Sequence, residues 1–300
     1  MISGAIPQHL VVAARSGFLT AVQGAVDMPW QRIAMQVNMG AASETLVDLG
    51  AAPMPTQSKG GMTAQDFIER TKAISAKEWD ITVWLSGNAA KDDQTGSLLS
   101  KVQGAGVNFQ RHINKRVFQV LNSGDGQTYG ACYDGQDFFD SDHADAGAAY
   151  STSQDNEGAL ALSLDNYETS WAAAQLIMND QGEYTQYAYD QLVVPPALFR
   201  KAANIVGNAQ DYGTGNRAVN PFGQMLKAPI VSPYLDSTAW HLIASSESTK
   251  PLILAMKEQP HLDAAWYEPG HPDGGRHFFK FYARYEVHYG DWRLAYQGNT

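Results

Sequence analysis

Apolar residues recur at helical spacing in the opening stretch Gln8 to Gln23, where Leu10, Ala14, Phe18 and Val22 fall four apart on one stripe. The spacing predicts a short amphipathic arm that Gly24 and Pro29 bring to an end. Beyond Trp30, Ile33, Met35 and Val37 alternate weakly with Ala34, Gln36 and Asn38, which suits a strand. From Met39 to Met62 the pattern dissolves into Gly, Ala, Ser and Pro. Pro53 and Pro55 exclude a helix interior or a central strand, and Lys59-Gly60-Gly61 marks a flexible tip. Alternation returns at Lys77 to Leu85, with Trp79, Ile81, Val83 and Leu85 set against Glu78, Asp80, Thr82 and Trp84. Two extended segments around a long Gly- and Pro-bearing excursion predict a hairpin-like arm, and loops of that length are often ordered by a neighbour.

The strongest helical stripe runs from Ser97 to Leu121 through Leu98, Val102, Ala105, Phe109, Ile113, Val117 and Leu121. At about 1.5 Å per residue it would span roughly 35 Å, the length of a lobe's spine, although Gly104 and Gly106 weaken its first turns. Asn122 to Gly126 breaks it. Asp165 with Glu168 predicts a capped helix through Trp171, Ala174 and Met178. Pro195-Pro196 opens another through Leu198, Ala202 and Ile205, closed by Gly207. Strands are expected near Gln191 to Val194, Ile230 to Ser232 and Trp240 to Ala244. At the C-terminal end Phe279, Phe281, Ala283, Tyr285, Val287 and Tyr289 alternate with polar residues. Gly290-Asp291 then predicts a turn into a return strand, Trp292, Leu294 and Tyr296, so that a hairpin ends the chain. The fold class is α+β with separate lobes, and no repeat points to a solenoid or propeller.

The chain of 300 residues is long enough for a large core. Its single cysteine, Cys132, excludes an internal disulfide and fits a reducing compartment. No stretch approaches the ~18 apolar residues of a membrane span, and the first residues lack an export signal, so a soluble, unexported product is expected. Acidic residues outnumber basic ones 31 to 21, the formal charge is −10, and no dense Lys/Arg cluster occurs. Direct nucleic-acid readout is therefore disfavoured, although a container for DNA need not grip its contents.

Asp134, Asp137, Asp140, Asp142 and His143 crowd one segment and superficially suggest a metal site. The segment lacks the glycine and terminal glutamate of a calcium loop and has no second histidine at ligand spacing, so a structural turn is the better reading. His271-Pro272-Asp273-Gly274-Gly275-Arg276-His277 has the composition of a turn leading into a strand. Gly213-Thr214-Gly215 lacks the Lys-Ser/Thr ending of a phosphate loop, and Cys132 beside aromatic residues fits core better than nucleophile. A metal-dependent hydrolase built on Asp140, Asp142, His143 and His271 stays open as the alternative. A secreted carbohydrate-binding module, suggested by the aromatic strands, would need export.

The segment Cys132-Tyr133-Asp134-Gly135-Gln136-Asp137-Phe138-Phe139-Asp140-Ser141-Asp142-His143 resembles the major head subunit family of Mu-like tailed phages. So does the closing block, through Trp240 to Ala244, Lys250-Pro251-Leu252-Ile253, Phe279 to Tyr289 and Trp292-Arg293-Leu294-Ala295-Tyr296. Weaker likeness covers Trp30-Gln31-Arg32, Leu49-Gly50 with Pro53, Lys77 to Val83, and Val193-Val194-Pro195-Pro196-Ala197-Leu198. The resemblance implies the HK97-like capsid fold, with an N-terminal arm at 1–30 and an E-loop at 31–85. A P-domain would follow at 86–150 with its spine helix at 97–121, then a region, mainly A-domain, at 151–245, and a return to the P-domain with C-terminal strands at 246–300. It further implies a non-enzymatic major capsid protein with no catalytic residue, cofactor or metal. Copies of the chain would form the hexamers and pentamers of an icosahedral or prolate head around double-stranded DNA, assembled in the bacterial host cytoplasm and residing in the virion. The implied partners are a separate scaffold and maturation protease, a portal protein, an optional decoration or cement protein, and DNA bound without sequence specificity, with no membrane. Lys59 at the loop tip does not by itself establish covalent crosslinking.

Overall fold

The computed structural model describes residues 8–24, 28–48, 69–88, 97–143, 153–207, 220–272 and 274–299. Helix α1, Gln8–Gln23, and helix α2, Ser97–Asn122, form where the apolar stripes predict them. They cross closely. A Cβ on Gly106 would lie 2.8 Å from the Phe18 carbonyl oxygen and 3.0 Å from the Ala21 Cβ, so the glycine that weakens α2 as a helix is what lets α1 approach it. Phe18 fills the junction, stacked on Phe281 at 4.2 Å and edge-on to Phe109 at 5.9 Å.

Both helices rest on a four-stranded sheet ordered β1-β9-β10-β4, made of β1 (Ala34–Asn38), β4 (Lys77–Ser86), β9 (Leu252–Glu268) and β10 (Arg276–Tyr289). β10 turns Phe279, Phe281, Ala283, Tyr285, Val287 and Tyr289 inward onto Phe109, Ile113, Val117 and Leu121 of α2, which makes the main core. β9 and β10 form a long antiparallel hairpin. Between its first and last paired residues, β9 carries three more residues than β10, at three register shifts, one of them including Pro260. Bulges of this kind bend and twist a strand, and they place a residue without an amide hydrogen where the ladder does not need one.

Two sequence expectations change here. β1 and β4 do not pair with each other; they lie at opposite margins of the sheet, because β9 offers β1 a parallel partner at Leu252–Met256. The hairpin of the arm is instead β2 (Ser43–Asp48) with β3 (Arg70–Ser75), both missed as strands and joined to neither large sheet. The tip at Lys59, together with Leu49, Pro53 and Pro55, lies outside the described residues, as does Gly213-Thr214-Gly215.

The second body is a five-stranded sheet ordered β5-β11-β8-β6-β7, from β5 (Glu157–Gly158), β6 (Gln191–Val194), β7 (Ile230–Val231), β8 (Trp240–Ile243) and β11 (Ala295–Gly298). Helices α3 (Leu164–Gln175) and α4 (Phe199–Gly207) accompany it. β6, β8 and β11 are buried at every position, since Leu192, Val194, Trp240 and Leu242 face one core while Val193, Ile243 and Ala295 face the other. A sheet covered on both faces loses the alternation that marks a half-exposed strand.

The expected C-terminal hairpin does not form. Asp291 caps a single 3-10 turn, Trp292–Leu294, by accepting from the Arg293 amide at 3.1 Å, and β11 leaves β10 to pair with β8 and β5 in the other sheet. Helix α3 is capped by Ser163, whose hydroxyl accepts from the Asn166 amide at 3.1 Å, and Asp165 sits inside the first turn, where the helix dipole favours an acid.

His241 on β8 is fully buried against the Phe139 ring, and neither ring nitrogen has a hydrogen-bond partner. Burial without compensation lowers its pKa to about 3. The unfolded chain therefore takes up a proton that the folded one refuses, and stability falls as pH drops from the ordinary histidine value of 6.5 toward 3. The His241 contribution to this loss is expected to be on the order of 2 kcal/mol by about pH 5. His241→Leu should be neutral or stabilising at pH 7 and should flatten that part of the acid dependence in urea titrations. An unchanged pH profile would contradict the assignment.

Candidate functional site

The aspartate-rich segment is tied inward. His143 Nδ1 lies 2.6 Å from Asp134 Oδ2, both side chains are fully buried, and the imidazole stacks on Trp292 at 3.9 Å and 4°. Asp140 Oδ1 accepts from the Asp142 amide at 3.0 Å, closing a local turn. Asn156 ties that turn to the C-terminal segment. Its oxygen accepts from the Asp140 amide at 3.0 Å, and its nitrogen donates to the carbonyls of Phe138, Trp292 and Ala295 at 2.9, 3.3 and 3.3 Å. Among the described residues no three His, Cys, Asp or Glu side chains converge as metal ligands. The hydrolase alternative on Asp140, Asp142, His143 and His271 is corrected accordingly: His143 is held by Asp134 and Trp292. The His271 carbonyl accepts from the Gly274 and Gly275 amides in the turn before β10. Cys132 is buried, and burial pushes its thiol up, away from the thiolate a nucleophile needs.

The larger feature is a cleft of about 450 Å³ at the root of the β2–β3 hairpin. One wall is apolar, from Met35, Val37, Leu46, Val47 and Ile253, and Val47 is 53% exposed. The other wall is charged and aromatic. Arg70 on β3 lies over the Tyr133 ring at 4.6 Å and 3.7 Å from Asp180 of the second body, with both side chains largely buried. Arg293 reaches Asp291 at 3.5 Å and hydrogen-bonds the Tyr133 hydroxyl. Lys72 donates to the Tyr289 carbonyl at 2.8 Å, and burial holds its pKa below the usual lysine value. These contacts fix the base of the hairpin to both bodies. They supply no nucleophile beside a base, so the arrangement suits packing of an apolar segment rather than bond chemistry.

The alternation placed Met35 and Val37 in a strand, and both reach this cleft, joined by Leu46 from the stretch where the pattern dissolves. The sequence did not single out Arg70, Asp180 or Arg293, which come from three distant stretches. Among the described residues no helix is long and apolar enough to cross a membrane.

A family model described as the Mu-like prophage major head subunit gpT matches residues 8–162. The major capsid protein of Escherichia phage Mu is 33% identical over 122 residues, which covers 40% of this chain and 39% of that protein, so the match spans about two fifths of the relative. Among solved structures, the procapsid of bacteriophage JBD30 aligns at a TM-score of 0.52 with 20% identity, over 98% of this chain and 76% of that one. The virus-like particle from Pyrococcus furiosus aligns at 0.54 with 10% identity, over 95% and 97%. The capsid of Ralstonia phage GP4 aligns at 0.54 with 11% identity, over 92% and 93%.

Proposed function

Since the chain belongs to the Mu-like prophage major head subunit family and has the HK97-like capsid fold, we propose that it is the major capsid protein of a tailed phage, self-assembling into hexamers and pentamers around double-stranded DNA. The family is one of structural head subunits, not enzymes. The observation that supports assembly best is the β2–β3 hairpin, which joins neither sheet and leaves Met35, Val37, Leu46 and Val47 along an open cleft. Apolar surface left in water is costly, at about 25 cal/mol per Å², and a neighbour's segment seated in the cleft removes that cost.

In this reading residues 1–30 are the N-terminal arm and 31–85 the E-loop, whose end strands β1 and β4 root it in the four-stranded sheet. The four-stranded sheet with α2 is the P-domain, and the five-stranded sheet with α3 and α4 is the A-domain, joined by β11. Head-to-tail contacts that close by rotation make rings of five or six, and the arms absorb the difference in curvature. Many modest contacts per subunit then add through multivalency. Copies of the chain, a scaffold and maturation protease, a portal and packaged DNA are the proposed partners, with assembly in the host cytoplasm and residence in the virion. The JBD30 capsid is decorated with minor capsid protein trimers, and a similar decorating partner is proposed for this chain. The formal charge of −10 supports a shell that encloses DNA without gripping it.

Trimming residues 40–70 tests the reading. The shortened chain is expected to stay folded by circular dichroism and to yield no particles by negative-stain microscopy, expressed alone or with its scaffold. Normal particles from the trimmed chain would remove the role assigned to the arm.

A further inference from the structure

Strand β4 ends the four-stranded sheet, so among the described residues no strand pairs with its outer side. Such an edge is a template for another chain, and folded proteins ordinarily blunt it with bulges, proline or a covering element. The opposite margin is blunted in this way. β1 covers β9 only at Leu252–Met256, and the uncovered remainder of β9 carries the register shifts and Pro260. β4 has neither device: its register with β10 runs without a shift from Lys77 to Ser86, and it contains no proline. Its solvent face also presents Trp84, 48% exposed, in one row with Phe278 and Trp266, which stack at 5.0 Å, while Arg276 covers Trp84 at 4.3 Å. Tryptophan and arginine gathered on an exposed flat face are the composition of an interface centre.

We propose that β4 forms a two-fold contact between copies of this chain, pairing antiparallel with β4 of a second copy about an axis at Thr82. The charges select this occupant. The solvent-facing residues of β4 run from Glu78 and Asp80 at one end to Thr82 and Trp84, with Arg276 beside Ser86 at the other. Parallel pairing in register would set each carboxylate against its own copy, which is destabilising. Antiparallel pairing about Thr82 sets Asp80 opposite Trp84 and Glu78 opposite Ser86, whose cross-strand neighbour is Arg276, so the acidic end of each copy meets the other's arginine. The Glu78 side chain is 66% exposed and only 3.7 Å from its own Arg284, which leaves it room to turn toward a second guanidinium. An isologous contact satisfies both edges at once and closes on itself. The inference rests on the shell-subunit reading and names the residues of one of its contacts.

Thr82→Cys in the full chain tests it, since Cys132, the sole native cysteine, is buried. Cβ atoms directly opposite in antiparallel strands lie about 4.5–5.5 Å apart, which only a small adjustment brings within disulfide reach. Oxidised T82C particles are expected to run mainly as disulfide-linked dimers on non-reducing gels, and Asp80→Cys, off the axis, should give roughly tenfold less. Trp84→Glu is expected to melt like the parent and to lower particle yield roughly tenfold, because it sets a carboxylate directly opposite Asp80 of the second copy. T82C particles without dimers, or normal particle yield from W84E, would overturn the β4 pairing and leave the shell reading standing. A parent chain that forms no particles with its scaffold would overturn both.

Discussion

Alanine in place of Asp134 is expected to lower the stability of the isolated subunit by about 3–5 kcal/mol, the range for removing one partner of a buried pair. The carboxylate is the hydrogen-bond partner of His143 Nδ1 at 2.6 Å, with both side chains fully buried, and its other oxygen accepts from the Gln136 amide at 3.2 Å. Without it the imidazole keeps its stack on Trp292 but holds an unsatisfied nitrogen in a place water does not reach. Asparagine preserves the shape and one acceptor, so Asp134→Asn should lose only about 1–2 kcal/mol. Urea denaturation at neutral pH measures both; a loss below about 1 kcal/mol for alanine would mean that the pair does not hold the segment. The same experiment separates a structural role from metal binding, because added divalent metal should leave the parent's midpoint unmoved.

Glu286→Ala should be comparably severe. Glu286 on β10 lies one residue beyond the pairing with Lys77, the first residue of β4, and accepts from Arg116 of α2 at 2.7 and 3.2 Å, while Lys77 Nζ sits 2.9 Å away. Burial alone would raise its pKa, but the hydrogen bonds from Arg116, Lys77 and the Val287 amide outweigh it and hold the carboxyl below its ordinary 4.5. A depressed folded value means that the contribution is complete above about pH 4.5 and is lost as pH falls through the folded pKa. At pH 7 the alanine variant strands the Arg116 guanidinium, only 11% exposed, and about 3 kcal/mol should be lost. The gap between parent and variant should narrow below about pH 4. A gap that widens on acidification would reverse the sign argued here.

Those two knots differ in how far the sequence foretold them. α1, α2 and the alternation of β10 were legible because each is written in a local period: Ala14 and Phe18 on one turn spacing, Phe279 to Tyr289 on the other. β9 was not. Its middle reads Lys257-Glu258-Gln259-Pro260-His261, and its bulges break the period of two that reveals a strand. β2 and β3 do alternate covered and exposed positions, but Glu44, Arg70 and Lys72 share the covered side with Leu46 and Ile74, so no clean apolar face marks them. The aspartate-rich segment was visible as a cluster, but its partner Trp292 arrives from the far end of the chain, and spacing within the segment carries no trace of that stack. The hairpin-root cleft is harder still, since its charged wall is assembled from β3, the loop after α3 and the turn before β11.

The placement of β9, β10 and β11 has a bearing on timing. β1 waits for β9, β4 for β10, and β8 for its full complement of neighbours until β11 arrives, so both sheets stay open until residues 252–298 have left the ribosome. Long-range pairing of this kind slows folding. It also means that a nascent or truncated chain lacks the finished surfaces through which subunits would join, and in the proposed shell broken products would be left out.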